Sequence, residues 1–461
     1  MQGELAGLLN DAASLSRFVR YLRRFCQERK ASHRYIPSSQ VFFTYIDNLA
    51  GETEAFLQRV VDQAETSAWG LKAQRLRLAL VKRVWTWLHG LIKPVADAHT
   101  LRVPCPLLIL LQRQLRAIGP FSYCQVVTLL SPDLNYFQYR TGPLSELDTQ
   151  LRLFLPNAPA FPRELAFVAI PYSQGHCLFT NVLLYHEVGH FVFATLESAG
   201  RLLPDVNQAL ASVLGAPFES LEEPAKEWLR GHLLAWSEET YCDLFALSLV
   251  GPAYSLASIE LFNLLALLEE PDSLRFTKEH PAEAYRFAEQ LWYLQATGWW
   301  KASGEPRTEH HARIEVLASK PEANYKYPEV NAPAPVGDLL IQAFLRLRQR
   351  VRGLVEETCG GLSSRVDAFT KYGPTIRKYL LNATVPSTLT IGGESHHPDP
   401  VAIVNASLLF SLASLTALRQ RIKGYQPGDV ADHGDVAGRV EVWAMKAIED
   451  CALLNRPGEA G

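Results

Sequence analysis

The sequence has few of the features that mark secreted, membrane-spanning or nucleic-acid-binding proteins. Its seven cysteines are scattered over 461 residues without a Cys-x-x-Cys pair, so we expect free thiols and no disulfide framework. No run of Lys or Arg is present and the net charge is −3, which argues against a nucleic-acid partner. Near the N-terminus the basic residues follow the apolar ones, the reverse of a secretory signal. Because the best apolar run, 406–418, is too short to span a membrane, we expect a soluble cytoplasmic protein.

Local patterns predict a mainly α fold with a small mixed β-sheet, an α+β architecture. Glycine-rich phosphate loops and internal repeats are absent from the sequence, which argues against the common nucleotide-binding and solenoid folds. Helical periodicity covers most of the chain. Strand-like patterns occur at 123–130 and 135–140, joined by a turn, at 164–173, and in a Pro/Gly-rich stretch at 383–404.

One almost wholly apolar helix carries a compact polar cluster. The segment NVLLYHEVGHFVFATLES is typical of a buried helix, yet it contains His186, Glu187 and His190. At roughly 100° per residue, these side chains project within an arc of about 100°, with the histidines one turn apart. Burying such groups is costly unless a partner compensates them. The pattern is H-E-x-x-H, in which two neutral imidazoles bind one Zn²⁺ per chain and the glutamate acts as general base on a water.

A second apolar helix, WSEETYCDLFALSLV, supplies the candidate third ligand. Glu239 and Asp243 lie at positions i and i+4, so both carboxylates can point to the same place. We expect Glu239 to bind the metal and Asp243 to accept a hydrogen bond from the far N–H of a zinc histidine. Glu238 is the rival ligand, although it has no acidic partner four residues on.

The two motifs together resemble the gluzincin zinc metallopeptidases, whose sites read HExxH followed by ExxxD on a second helix. The nearest resemblance is to the branch that contains the CaaX-prenyl proteases and the heat-shock membrane peptidases. That branch has a third element, His-Pro with a downstream Arg, which EHPAEAYRF matches here. The resemblance implies that His280 is an oxyanion donor and that Arg286 is a structural or substrate-positioning group.

The resemblance covers about 165–290. It departs from the branch in one respect, because the branch is usually membrane-embedded and we expect no membrane-spanning helix in this sequence. The Gly-x-x-Glu-Asn signature of gluzincin aminopeptidases is missing from the sequence, which favours endopeptidase action. The strand at 164–173 precedes the H-E-x-x-H helix, and we expect it to be a sheet edge that pairs with an extended peptide substrate. We expect three regions: N-terminal helices in 1–120, a zincin-like metallopeptidase core in 121–300, and a mainly helical region in 301–461.

Two alternatives to a zinc metallopeptidase stay open at this point. The first alternative is a non-catalytic regulatory or scaffold protein with a structural or inactive zinc site. Glu187 argues against this alternative, since a structural site needs no base beside its first ligand. The other alternative is a helical interaction protein with a chance HEVGH, which predicts no bound metal.

Overall fold

The computed structural model describes residues 2–454 apart from a set of short segments. These segments are 33–36, 63–67, 99–104, 122–123, 134–135, 140–148, 150, 163, 176, 267–271, 305–306, 328–333, 361–364 and 422–429. The described residues form two compact units. One contains 1–103 and 123–176, and the other contains 104–122 and 177–461.

The first unit packs three long helices with a small sheet. Its helices are α1 (Gln2–Ser32), α2 (Pro37–Asp62) and α3 (Ala68–Ala98). Its strands are β1 (Gln125–Ser131), β2 (Phe137–Tyr139) and β3 (Leu165–Pro171). Apolar faces of all three helices share one core with the strands, including Trp85 of α3 and Phe167 of β3. Burial of this shared apolar surface holds the unit together.

The second unit is mainly helical. Its helices are α4 (Cys105–Ala117), α5 (Leu184–Thr195), α6 (Ser198–Leu214), α7 (Ala216–Glu219), α8 (Glu223–Val250), α9 (Pro252–Ala266), α10 (Glu283–Ala296), α11 (Trp299–Ser303), α12 (Glu309–Ala318), α13 (Ala334–Cys359), α14 (Arg365–Leu381), α15 (Pro400–Arg421) and α16 (Val430–Leu454). Strands β4 (Leu389–Ile391) and β5 (Glu394–His396) form an antiparallel pair. The expected fold class, mainly α with a small mixed sheet, is therefore confirmed.

The strand order corrects one expectation. β3 pairs with β1 in parallel and with β2 in antiparallel fashion, so the order is β1-β3-β2. β3 is thus the central strand and not the sheet edge that we expected to pair with a peptide. All seven of its residues are buried, as is typical of a strand covered on both faces. β1 and β2 are also not neighbours, although they follow each other in the sequence.

The two units divide the chain differently from the expected regions. The sheet shares its core with α1, α2 and α3, so 123–176 belongs with the N-terminal helices. The helices after residue 300 belong to the same unit as the H-E-x-x-H motif. That unit includes α12, whose first turn is closed by a capping box between Thr308 and His311.

Helix α15 corrects a further expectation, because it is long and apolar enough to cross a membrane. The apolar segment is longer than 406–418, since it extends upstream through Asn405 to Val401. In the structure, 67% of its most apolar window is buried, and the helix packs against α14 and α16. Asn405 is fully buried and binds Val250 O, Val401 O and Ala253 N. This burial is typical of a core helix.

Candidate metal centre

Helix α5 presents the motif residues from a buried position. The helix follows a short 3-10 turn and is buried along almost its whole length, because its sequence is apolar on every side. His186 and Glu187 are buried, while the His190 side chain is 17% exposed. The two imidazole ring centroids lie 4.9 Å apart and the rings are nearly perpendicular. The site therefore opens toward solvent on the His190 side.

A glycine lets α5 and α8 approach closely. A Cβ placed on Gly189 would lie 3.0 Å from Cys242 Cα and 3.1 Å from both Cys242 Cβ and Sγ. Atoms at such distances overlap, since carbon atoms in contact are about 3.5–4.0 Å apart. Only glycine fits at this position without moving the helices. This close approach brings the carboxylates of α8 up to the histidines of α5.

Glu239 of α8 lies between the two histidines. Its Oε2 is 3.4 Å from His186 Nε2, and its Oε1 is 3.4 Å from His190 Nε2. Direct charge-assisted hydrogen bonds are shorter, about 2.7–2.9 Å. The Glu239 carboxylate therefore faces both Nε2 atoms, with a different oxygen toward each, at distances too long for direct charge-assisted hydrogen bonds.

Asp243 lies at the far nitrogen of His186. Its Oδ1 is 2.9 Å from His186 Nδ1 and accepts a 2.5 Å hydrogen bond from the Tyr254 hydroxyl of α9. Arg286 of α10 donates to both carboxylate oxygens, at 2.6 and 2.8 Å, and Gln290 donates at 3.3 Å. The Asp243 side chain is 1% exposed. This buried network fixes the imidazole so that Nε2 points to Glu239.

The far nitrogen of His190 has a different partner. Glu238 Oε1 lies 2.8 Å from His190 Nδ1, so the rival ligand of the sequence analysis contacts the nitrogen opposite the one that faces Glu239. The Glu238 side chain is 25% exposed. Each histidine therefore has one carboxylate at Nδ1, and both share Glu239 at Nε2.

The third sequence element also reaches the site. His280 Nδ1 lies 3.3 Å from Glu239 Oε2, and the His280 side chain is 51% exposed. Arg286 Nη1 lies 3.2 Å from the same oxygen. The structure thus places Arg286 between Glu239 and Asp243, while His280 lies on the exposed side.

Cys242 is a site residue that the sequence analysis missed. His186, His190 and Cys242 each offer a donor atom, and these atoms lie within 4.8 Å of one another. This group could hold a metal ion. The sequence feature that could have indicated Cys242 is its position three residues after Glu239, which places the two side chains on one helix face. Tyr254 was also missed, because a single Tyr in an apolar helix looks like any core residue.

The electrostatics of the site favour a bound positive charge. Burial alone would lower the pKa of His186, but hydrogen bonds and charges from Asp243 and Glu239 outweigh it and raise the pKa to about 10. Burial alone would raise the pKa of Glu239, yet His186, His280 and Arg286 hold it well below its usual value. Burial and the surrounding carboxylates raise the pKa of the Cys242 thiol well above its usual value.

Comparison with known proteins adds no relative. No family model, no curated protein and no solved structure matches this chain.

Proposed function

We propose that this protein is a zinc-dependent metallopeptidase of gluzincin type, with His186, His190 and Glu239 as the metal ligands. The observation that carries the proposal is the pair of 3.4 Å distances from the Glu239 oxygens to the two Nε2 atoms. They place one carboxylate against the Nε2 atoms of both histidines, and three protein ligands would leave a fourth position open, as in catalytic zinc sites.

The charge around the site supports a divalent cation. Three carboxylates, those of Glu238, Glu239 and Asp243, contact the two imidazoles, and Arg286 supplies one positive charge within this group. Glu187, which follows His186 in the sequence, is a fourth buried carboxylate on α5. Buried charges need compensation. Without a metal, protonation of His186 supplies part of it, as its raised pKa indicates. Two imidazoles with one carboxylate are a donor set typical of Zn²⁺.

The mechanism assigns one task to each residue. When bound, zinc supplies Lewis acidity to an attacking water and to the scissile carbonyl. Glu187, which follows the first histidine directly on α5, takes the proton of that water and delivers it to the leaving amine. His280, on the exposed side of Glu239, donates a hydrogen bond to the carbonyl oxygen. Asp243 and Arg286 hold Glu239 and His186 in place.

The substrate class follows from this chemistry. A peptide or protein is the expected substrate, and the missing exopeptidase signature favours internal cleavage. Because β3 is the central strand of its sheet, a peptide cannot add to the sheet beside β3, and β-addition there does not support a peptide substrate. A library of peptides with mass-spectrometric detection of new termini distinguishes internal cleavage from trimming of ends. Loss of single terminal residues would contradict the endopeptidase assignment. The cytoplasmic location also remains a proposal.

Cys242 supports one alternative function. A set of His186, His190 and Cys242, with Glu239 as fourth ligand, would close the coordination shell, as structural zinc sites do. The protein would then be a regulatory or scaffold protein with no hydrolytic activity. Glu187 argues against this set, because a structural site needs no base beside its first ligand.

Metal analysis of ligand variants tests the proposal. We expect about one zinc per chain in the wild-type protein, and loss of zinc in His190→Ala and Glu239→Ala. Cys242→Ser should keep its zinc, and the cobalt-substituted wild-type protein should show no thiolate-to-cobalt absorption in the near ultraviolet. That absorption, together with loss of metal in Cys242→Ser, would establish the structural site instead. Wild-type protein without metal would overturn both functions.

Glu187→Gln separates catalysis from metal binding. We expect this variant to keep its zinc and to lose about 10²–10⁴-fold in kcat/KM for peptide hydrolysis, because the amide cannot accept the proton. Equal activity in this variant and the wild-type protein would exclude Glu187 as the base.

A further inference from the structure

The two histidines are held in unequal ways. At His186 Nδ1, the carboxylate of Asp243 is buried and also binds Tyr254, Arg286 and Gln290. At His190 Nδ1 the corresponding carboxylate is Glu238, whose side chain is 25% exposed. The first imidazole is therefore part of a buried network, whereas the second lies at the solvent side with a partner that water also reaches.

From this asymmetry we infer that Glu238 is a positioning residue that holds His190 in its metal-binding orientation, and that the ion enters and leaves on the His190 side. The inference rests on the proposed metal site. Glu238 Oε1 at 2.8 Å accepts the Nδ1 proton of His190, which leaves the Nε2 lone pair directed at Glu239. Rotation of the His186 ring would break contacts to Asp243 and Tyr254 in the protein interior. Rotation of the His190 ring would break the contact to Glu238, where water replaces the lost hydrogen bond.

Metal affinity and release rate test the inference with the full chain and Zn²⁺ alone. Affinity is measured by competition with a chromophoric chelator, and release by a chase with excess chelator. In Glu238→Ala and in Glu238→Leu, which keeps the bulk, we expect affinity to fall about 10–100-fold. The loss should occur mainly as faster release. Glu238→Gln keeps an acceptor oxygen at the same reach, so it should restore most of the affinity.

Controls separate this role from a general effect on folding. Glu227 lies on α8 and is exposed, and Glu227→Ala should leave zinc affinity and release unchanged. The thermal midpoint of the metal-free Glu238 variants should match that of the wild-type protein, since a side chain at the surface adds little to stability. If that midpoint falls together with affinity, Glu238 acts through folding and the inference is wrong.

The outcomes also distinguish the inference from the proposed function. Wild-type protein that binds no Zn²⁺ would overturn the proposed function and the inference together. Wild-type protein that binds Zn²⁺, with affinity and release unchanged in Glu238→Ala and Glu238→Leu, would overturn the inference alone. If Glu238→Ala does not fold, the comparison of Glu238→Leu with Glu238→Gln decides, because the two differ in the acceptor at similar size.

Discussion

Replacing Gly189 with alanine tests whether the close approach of α5 and α8 sets the geometry of the candidate site. The added Cβ would lie 3.0 Å from Cys242 Cα, whereas carbon atoms in contact lie about 3.5–4.0 Å apart. The helices must therefore separate by a few tenths of an ångström. Overpacking of this kind destabilises a core by about 1–3 kcal/mol, and the preference of alanine for the helix interior offsets about 0.5–1 kcal/mol of it. We therefore expect the free energy of unfolding of the metal-free protein to fall by up to about 2.5 kcal/mol.

The same separation acts on the donor atoms, because the histidines belong to α5 and Glu239 belongs to α8. A shift of a few tenths of an ångström would widen the 3.4 Å distances between the Glu239 oxygens and the two Nε2 atoms. Pulling the helices back together on binding costs free energy, and each 1.4 kcal/mol weakens binding about tenfold. We therefore expect zinc affinity to fall about tenfold or more.

Urea unfolding of the metal-free protein and chelator competition measure the two effects. Gly231→Ala is the matched control, since it is the same substitution on α8 at an exposed position with open space around the added Cβ. There we expect a gain of about 0.5–1 kcal/mol, because alanine favours the helix interior. The reasoning is refuted if Gly189→Ala is as stable as Gly231→Ala and binds zinc as tightly as the wild-type protein.

Four further predictions concern the site and the helices around it. Because the pKa of His186 in the metal-free protein is raised to about 10, zinc must displace a proton from this imidazole. Chelator competition should therefore show zinc affinity rising about tenfold per pH unit between about pH 7 and 9. An affinity that does not change with pH would contradict this. The raised pKa also implies that protonated His186 stabilises the metal-free fold fully below about pH 6.5 and that this contribution is lost as the pH rises toward 10. The free energy of unfolding in urea should therefore fall over this pH range in the wild-type protein, and it should fall less in His186→Ala. Tyr254→Phe removes a hydrogen bond to the Asp243 carboxylate and should lower stability by about 1.5–3 kcal/mol in urea unfolding; no change would mean that the bond contributes nothing. Asn405→Ala leaves Ala253 N and Val250 O without their side-chain partner, so we expect a loss of about 1–3 kcal/mol.

The parts of the site that depend on local spacing could be predicted from the sequence. His186, Glu187 and His190 share a helix face by their spacing alone, and so do Glu239 and Asp243. The structure brings these two groups together in one unit. Which carboxylate faces which nitrogen depends on the rotation of α8 against α5, so the contact of Glu238 with Nδ1 of His190 left no mark in the sequence.

Long-range features could not be predicted for related reasons. The insertion of β3 between β1 and β2 depends on pairing between residues that are 28 to 40 positions apart, and such pairing has no local signature. The proximity of Cys242 to the histidines follows from the missing Cβ of Gly189, which is visible only once the two helices are packed.

Helix α4 has a consequence for any attempt to dissect this protein into fragments. The chain leaves the first unit after residue 103, contributes α4 to the second, and returns at 123. In α4, Gln114 Nε2 donates to Leu249 O at the C-terminal end of α8, 2.8 Å away. A polypeptide beginning at 177 would retain H-E-x-x-H and Glu239 but would lose this anchor of the helix that carries Glu239. Complementation of such a fragment by a peptide of 104–122 is therefore the informative way to produce the second unit alone.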